Sequence, residues 1–515
     1  MQHSDYAARA RACVDNSRRP EGNRTQKTDQ KVFRLFNSAT FCNTYCYRSA
    51  CCPPVQSWHF ADNGVRAVGM EADTKRNILF LQGPPSTFWC QLADQFKAAG
   101  AQVRRINLSM GDWVYWRRRG ADNYRGRFSR WGEYLRQYLL ENRITDILYY
   151  ADRLPYHAVA REIAASLGVD TYAVEFGYLR PDWVTLERGG MGALSHFPND
   201  PTLVRKIAQR VPPFEQPTEH FTHRFGVEAT NEVTYNLLTA LLPYAYPFYR
   251  ADKYYHPLVD YLAWVPNALY KFMTERRRSQ AVERLSRGRR RYWMLALQLQ
   301  ADYQLRCNSH YRHQADMIEE VIASFSRNAP RTGHLVVKLH PLDNGIERWE
   351  RRVANVAERH GVADRVLAVS KCNLKRTIRR SQGVITINST VGLHSLRAGT
   401  PVKVLGIAVY DILGLTHQDS LDTFWEHPAP IDVTLRDALL SALAATIQIH
   451  GSFYHPRGRR AACDEIVRRV MHKGVNNAEA YIDPPPRLQS ARDRNAPIFS
   501  PLKGSNVTPW TRKIQ

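Results

Sequence analysis

Cysteine is scarce in this chain, with nine among 515 residues, too few for a disulfide scaffold. Five of them (Cys13, Cys42, Cys46, Cys51 and Cys52) crowd into the amino-terminal tenth. Their spacing matches no CxxC pair and no histidine pair follows at finger spacing, so no metal site is expected. The other four, Cys90, Cys307, Cys372 and Cys463, are scattered and read as reduced thiols, which suits a cytoplasmic address. Long apolar runs are missing too. Nothing approaches the roughly 18 apolar residues of a membrane-spanning helix. The most apolar stretch, Leu237 to Phe248, is short and carries two prolines. The amino terminus has no apolar signal core. Acidic residues are in deficit, 48 against 72 Lys plus Arg, for a net charge of +24. That surplus attracts nucleic acid, an acidic membrane face or phosphorylated substrates. The basic residues are dispersed, and no helix-turn-helix, RRM, KH or finger pattern accompanies them, which disfavours nucleic acid. Hydrophobic residues at 44% and charged residues at 23% exclude a wholly disordered chain.

Residues 1–74 show no helical or strand period and read as a disordered leader. Met70, opening MEADTKRNILFLQG, looks like a natural start. From Asn77 the pattern becomes strand, turn, helix, repeated. Strands are expected at 78–81, 103–108, 146–150 and 169–174, with helices at 88–99, 131–141 and 157–167 and an Arg/Trp/Tyr-rich loop after the second strand. Residues 75–227 form this first half. Residues 228–291 are helical in period and strongly aromatic, and end in the runs Arg276-Arg277-Arg278 and Arg287-Gly288-Arg289-Arg290-Arg291. This reads as a connector with a solvated charged end, or as an interfacial surface with Tyr and Trp at headgroup depth beside phosphate-pairing Arg. A second β/α series fills 292–482, with strands expected at 294–299, 335–339, 366–369, 384–387 and 402–405, and helices closing it at 434–449 and 461–471. The Pro-rich stretch from Asp483 reads as a flexible tail. The fold class is therefore α/β: two Rossmann-like, doubly wound domains facing a cleft, the layout of a B-type glycosyltransferase, with ligands at the carboxyl ends of the strands.

Several strand ends carry chemistry. Gly83-Pro84-Pro85-Ser86 follows the first strand but matches neither GxGxxG nor GxxxxGK[ST], so it reads as a tight turn lining the cleft. Lys338-Leu339-His340-Pro341 ends a second-half strand; Pro341 stops it and presents His340 to a phosphate or a sugar carboxylate, with Lys338 adding charge. Asn388-Ser389-Thr390-Val391-Gly392 follows another and opens a helix, where Ser389 or Thr390 can cap and the free backbone N–H groups suit a nucleotide phosphate. In the first half, Asp152 with Arg153 and His157, and Glu175 with Arg180 and Asp182, place carboxylates at strand ends. They suit a nucleophile or acid/base pair, or else structural ion pairs, Asp152 to Arg153 and Glu175 to Arg180.

GPPSTFWCQLADQFKAAGAQVRRINLSMGDWVYW, ADRLPYH, VEFGYLRPDWVTLE, VVKLHP and INSTVGLHSLRAGTPVKVLG, in colinear order over about residues 76 to 470, resemble the capsule polysaccharide synthesis family and its KpsS-type branch. The resemblance implies a B-type glycosyltransferase transferring β-linked Kdo (3-deoxy-manno-octulosonic acid) from CMP-Kdo, without metal or cofactor. It implies a phosphatidylglycerol-type lipid acceptor, a peripheral place on the inner membrane, and neighbours among the capsule synthesis and ABC-export proteins. It implies retention through a carboxylate nucleophile, for which Glu175 and Asp152 are the candidates. Lys338, His340, Asn388, Ser389, Thr390 and Gly392 are then expected at the donor, and Gly83, Asp112, Trp113, Arg153, His157, Arg180 and Asp182 along the acceptor side of the cleft. Two positions depart from the family pattern. Related Kdo transferases carry a second carboxylate where this chain has Phe176. His394 stands where many nucleotide-sugar enzymes place a ribose-binding Glu. Phe176 also leaves room for a catalytically impaired scaffold of the export machinery.

Overall fold

The computed structural model describes residues 76–498 apart from 117, 119, 223 and 224. The expected leader, its cysteine cluster and Met70 lie outside the described residues. The chain forms β1 (Asn77–Phe80), β2 (Gln102–Asn107), β3 (Ala121–Asn123), β4 (Asp146–Tyr150), β5 (Asp170–Phe176) and β6 (Trp183–Arg188) in its first half. The second half holds β7 (Tyr292–Ala296), β8 (His334–Lys338), β9 (Val366–Val369), β10 (Val384–Thr386) and β11 (Val402–Val404), and β12 (Gln448–His450) follows near the end. The strands assemble into a seven-stranded sheet, ordered β12-β6-β5-β4-β1-β2-β3, and a five-stranded sheet, ordered β11-β10-β7-β8-β9. Ile78, Leu79 and Phe80 are all buried, as is Tyr292–Ala296 along its whole length. Helices cover both faces of each sheet, so central strands read as continuous apolar runs.

The five-stranded sheet is parallel throughout. The seven-stranded one is not, because β6 runs antiparallel to both β5 and β12. The sequence reading missed β6. A short turn after Glu175-Phe176, closed by Gly177 N–H donating to Trp183 O at 2.7 Å, sends the chain straight back along β5. The expected helix 434–449 ends at Thr446, and Gln448–His450 leaves it to join the first sheet. Helix Pro456–Met471 then packs its Ala462, Cys463, Ile466 and Val470 among first-half residues such as Phe88, Leu92 and Phe96. The last part of the span 292–482 thus belongs structurally to the first half.

Two further expectations are corrected. The Arg/Trp/Tyr-rich loop begins with a helix, Met110–Trp116. Its start is a capping box: Asp112 N–H donates to Ser109 Oγ at 3.2 Å, and Ser109 N–H donates back to Asp112 Oδ2 at 3.1 Å. The stretch 483–498, expected to be flexible, is ordered. Helix Leu488–Asp493 follows a buried Arg487, and this segment lies against both halves. The connector region contains two helices, Phe225–Leu241 and Pro257–Arg287. Among the described residues no helix is long and apolar enough to cross a membrane.

Candidate functional site

β5 and the loop after β7 meet across the interface of the two sheets. Successive side chains of a strand point to opposite faces, and at the end of β5 this separates Glu175 from Phe176. Glu175 faces the second half. Its Oε2 accepts a hydrogen bond from the Tyr303 hydroxyl and another from Gln304 Nε2 at 2.9 Å. Both donors stand at the start of helix Tyr303–Cys307, capped by Asp302. Burial pushes the Glu175 carboxyl up to about 7, while the bonds from Tyr303 and Gln304 pull the other way and favour the ion. The expected Glu175–Arg180 ion pair is not among the ion pairs of the described residues. Arg180 instead sits over the Phe176 ring, 5.0 Å from its centroid, and Phe176 packs on Phe453 and Tyr454.

The second half supplies a bracket around this carboxylate. Asn388 Nδ2 donates to Gln304 O at 2.9 Å, and Asn388 Oδ1 accepts from Gln298 Nε2 at 2.8 Å. The Asn388 side chain therefore ties the loop after β10 to the loop after β7. Ser389 is the cap of helix Thr390–Arg397, its Oγ accepting from Val391 N–H at 3.2 Å. Thr390, the first helical residue, is half-buried. Gly392 has a packing reason: a side chain there would overlap the Tyr410 hydroxyl, which donates to Ser389 O. His340 is half-buried, and burial holds it near 4, so its ring is neutral. Its Nδ1 accepts from Leu342 N–H at 3.2 Å, which leaves the proton on Nε2 as a donor. Burial lowers Lys338 as well, and its Nζ donates to Leu339 O at 2.6 Å. His394 is pushed to about 4 by burial. The Arg180 charge contributes to the lowering of both His340 and His394, and it opposes the burial that raises Asp302. The charge of one first-half guanidinium is thus felt by three second-half side chains.

Other expected residues fall elsewhere. Asp152 is fully buried; its Oδ2 accepts from Met191 N–H at 2.9 Å and its Oδ1 has no partner. Arg153 and His157, though close in sequence, do not hold Asp152 in its ionised form. Burial instead raises its carboxyl, with Arg153 opposing, and His157, itself held near 4 by burial, turns its Nδ1 to Ala151 O at 2.8 Å. No Asp152–Arg153 ion pair is present among the described residues; Arg153 Nη2 reaches Cys307 O at 3.4 Å. Asp152 therefore lies beneath the interface and is closed to a substrate in this conformation. Asp112 is committed to its capping box and to a buried ion pair with Arg105 at 3.0 Å. Gly83 makes room for the Trp89 ring. Both border a separate small cavity of about 10 Å³ that also includes Tyr115 and Tyr235. Trp113 is exposed on the neighbouring helix. Asp182, whose Oδ2 is 3.1 Å from His220 Nδ1, lies in the turn between β5 and β6.

Sequence reasoning missed Tyr303, Gln304 and Glu187. The first two had a signal, an Asp302 cap before a short helix. Glu187 had none: it sits inside β6, fully buried, accepting from Ser195 Oγ and from the Tyr178 hydroxyl at 2.9 Å, and burial raises it to about 7.

The model of a capsule polysaccharide biosynthesis protein family matches residues 145–454. The chain is 31% identical over 384 residues to the capsule polysaccharide export protein KpsS of Escherichia coli, covering 74% of this chain and 97% of that one. It is also 31% identical over 393 residues to the capsule polysaccharide modification protein LipB of Neisseria meningitidis serogroup B, covering 74% and 92% respectively. Among solved structures, the β-Kdo 2,7 transferase of KpsC from Thermosulfurimonas dismutans superposes with a TM-score of 0.39 at 13% identity, over 77% of this chain and 99% of that one. With a family match spanning most of the two halves and relatives aligned over nearly their whole length, the chain belongs to the capsule polysaccharide biosynthesis family.

Proposed function

We propose that this protein is a retaining glycosyltransferase that moves Kdo from CMP-Kdo onto a phosphatidylglycerol-type lipid at the cytoplasmic membrane face, starting a capsule linker. The observation that carries the reading is Glu175: a carboxylate at a strand's carboxyl end, facing the other sheet's loops, with an affinity for protons near neutrality. In a double displacement, Glu175 attacks the anomeric carbon as the bond to the CMP phosphate breaks and its electron pair leaves on the phosphate oxygen. The acceptor hydroxyl then attacks that carbon, Glu175 leaves as a free carboxylate, and the hydroxyl proton passes to water, which restores the original configuration. The start of helix Thr390–Arg397 and the His340 Nε2–H are suited to the donor phosphate. Arg180 is suited to the Kdo carboxylate. Tyr303 and Gln304 both hold Glu175 Oε2, which orients the carboxylate and leaves Oε1 as the oxygen suited to attack. Asp152, being buried, supports the Gly190-Met191 turn rather than touching sugar.

A second reading, a catalytically impaired partner of the capsule export machinery, is favoured by Phe176, whose ring is packed where a second carboxylate was expected. One assay separates the two. Incubation with CMP-Kdo and lysophosphatidylglycerol, followed by mass spectrometry, should show a Kdo-lipid and released CMP. Glu175→Gln should slow CMP release by at least about a hundredfold, the scale of losing a reacting group. No product from the unmodified protein leaves the scaffold reading in place.

A further inference from the structure

The two connector helices expose apolar side chains that a water-facing connector does not need. Along Pro257–Arg287, Leu258, Leu262, Val265, Leu269 and Phe272 recur at steps of three and four, which makes one continuous stripe about 21 Å long. Leu262 is 73% exposed, Val265 72%, Phe272 86% and Met273 73%. Phe225, Leu241, Tyr244 and Phe248, on and after the first connector helix, are exposed as well. Single exposed hydrophobics need no explanation, but this concentration in one arm does.

The rest of the long helix is fastened to the second half. Asn267 Nδ2 donates to Asp343 O at 2.7 Å, Asp260 accepts from Asn344 Nδ2 at 2.8 Å, and Glu275 accepts from Ser370 N–H at 2.8 Å. The first connector helix is fastened to the first half through Tyr115 and Asn231, at 2.8 Å. The stripe is therefore held outward by a base that grips both halves.

Charge tells which partner fits. Between residues 225 and 291 there are 11 Lys plus Arg and six acidic residues. Asp252, Asp260, Glu275 and Glu283 are tied to Arg306, Asn344, backbone N–H groups and Arg376 respectively. Arg276 and Arg277, at the end of the stripe, are exposed. Arg127 lies over Phe248 and Arg125 over Tyr246, 5.3 and 5.7 Å from the ring centroids, the aromatic-plus-cation pairing of a headgroup layer. We infer that this arm is a membrane-docking element: the stripe 258–273 enters the acyl boundary of an anionic bilayer, and Arg276 and Arg277 engage lipid phosphates. The inference stands on exposure and charge, independently of the glycosyl-transfer reading.

The test is flotation of the full chain with phosphatidylcholine vesicles, with and without phosphatidylglycerol. The wild type should float with the anionic vesicles, less so as salt is raised. A Leu262→Gln, Val265→Gln, Phe272→Gln triple variant should lose about a hundredfold or more in vesicle affinity. Arg276→Glu with Arg277→Glu should lose binding to anionic vesicles selectively. Both variants should retain CMP release with a short-chain, water-soluble lipid acceptor, so failure to dock and failure to transfer are read separately. Unchanged flotation of the triple variant, or no flotation of the wild type, overturns the inference. So does a wild-type dimer that the triple variant converts to monomer in sedimentation velocity, since the stripe would then be covered by a second copy.

Discussion

Glu175 shows how much one side chain's surroundings decide. In water a glutamate is ionised well below neutrality; here burial lifts it to about 7, and the Tyr303 hydroxyl and Gln304 amide limit the rise. As the nucleophile proposed above, Glu175 must be ionised, so CMP release should increase with pH through an inflection near 7. Tyr303→Phe removes a donor that favours the ion, so the inflection should move to higher pH, with the plateau rate at alkaline pH largely kept. Initial rates of CMP release between about pH 5 and 9 check this. An unmoved inflection would show that Tyr303 does not set the ionisation of Glu175. Phe176 teaches a different lesson at the same scale. Its ring supports Arg180 and packs on Phe453, so the residue that looks like a missing carboxylate is part of an aromatic cluster.

At the scale of elements, the loop 387–392 concentrates short-range signals that were readable from sequence: a strand, an Asn-Ser-Thr turn and a helix. Ser389 proves to be the cap, as its residue type suggests. The role of Gly392 was not readable, since it depends on Tyr410, 18 residues away in sequence. Gly392→Ala should force Tyr410 from its hydrogen bond to Ser389 O and loosen the turn that Asn388 brackets. We expect a loss of roughly 1–3 kcal/mol, the usual cost of overpacking, seen in thermal melts, with weaker protection by CMP. A variant that melts normally and binds CMP normally would mean that Tyr410 moves away freely. The capping box of Ser109 and Asp112 is the converse case. Its S-x-x-D spacing was present in the sequence, yet the surrounding Arg, Trp and Tyr residues hid the helix.

Across the whole molecule, the segment after residue 482 acts as a strap. Arg487 donates to Phe197 O and Pro198 O of the first half and to Ala408 O and Val409 O of the second. Arg494 reaches Gly406 O at 2.6 Å. Both halves also share a hydrophobic cluster in which Leu179, Trp183 and Phe197 meet Leu393, Val404 and Leu439. Arg487→Ala would take a donor from four buried carbonyls, of which Ala408 O keeps the Asp411 N–H. It should cost roughly 3 kcal/mol or more, lowering the melting temperature and speeding limited proteolysis near the strap. Arg487→Lys should recover only part of this, because a single ammonium cannot span acceptors on both halves. Equal stability of Arg487→Ala and wild type would rule out the strap.

The sequence by itself determined the α/β class, the two doubly wound series, most strand positions and the family. These follow from hydrophobic period, turn residues and colinear motifs, which are local properties. Glu175, His340 and Ser389 could be singled out as candidates because strand ends in such folds face a cleft. The tertiary structure alone decided which carboxylate is accessible. Asp152 and Glu175 both end strands, but the Met191 turn covers one while Tyr303 and Gln304 reach the other from the opposite half. It alone decided that β6 and β12 run antiparallel and that helix Pro456–Met471 packs on the first half. It alone decided that the Pro-rich stretch after Asp483 is a strap and that the connector turns its leucines outward. Each of these depends on which distant segment occupies the neighbouring space, a pairing that periodicity along the chain does not encode.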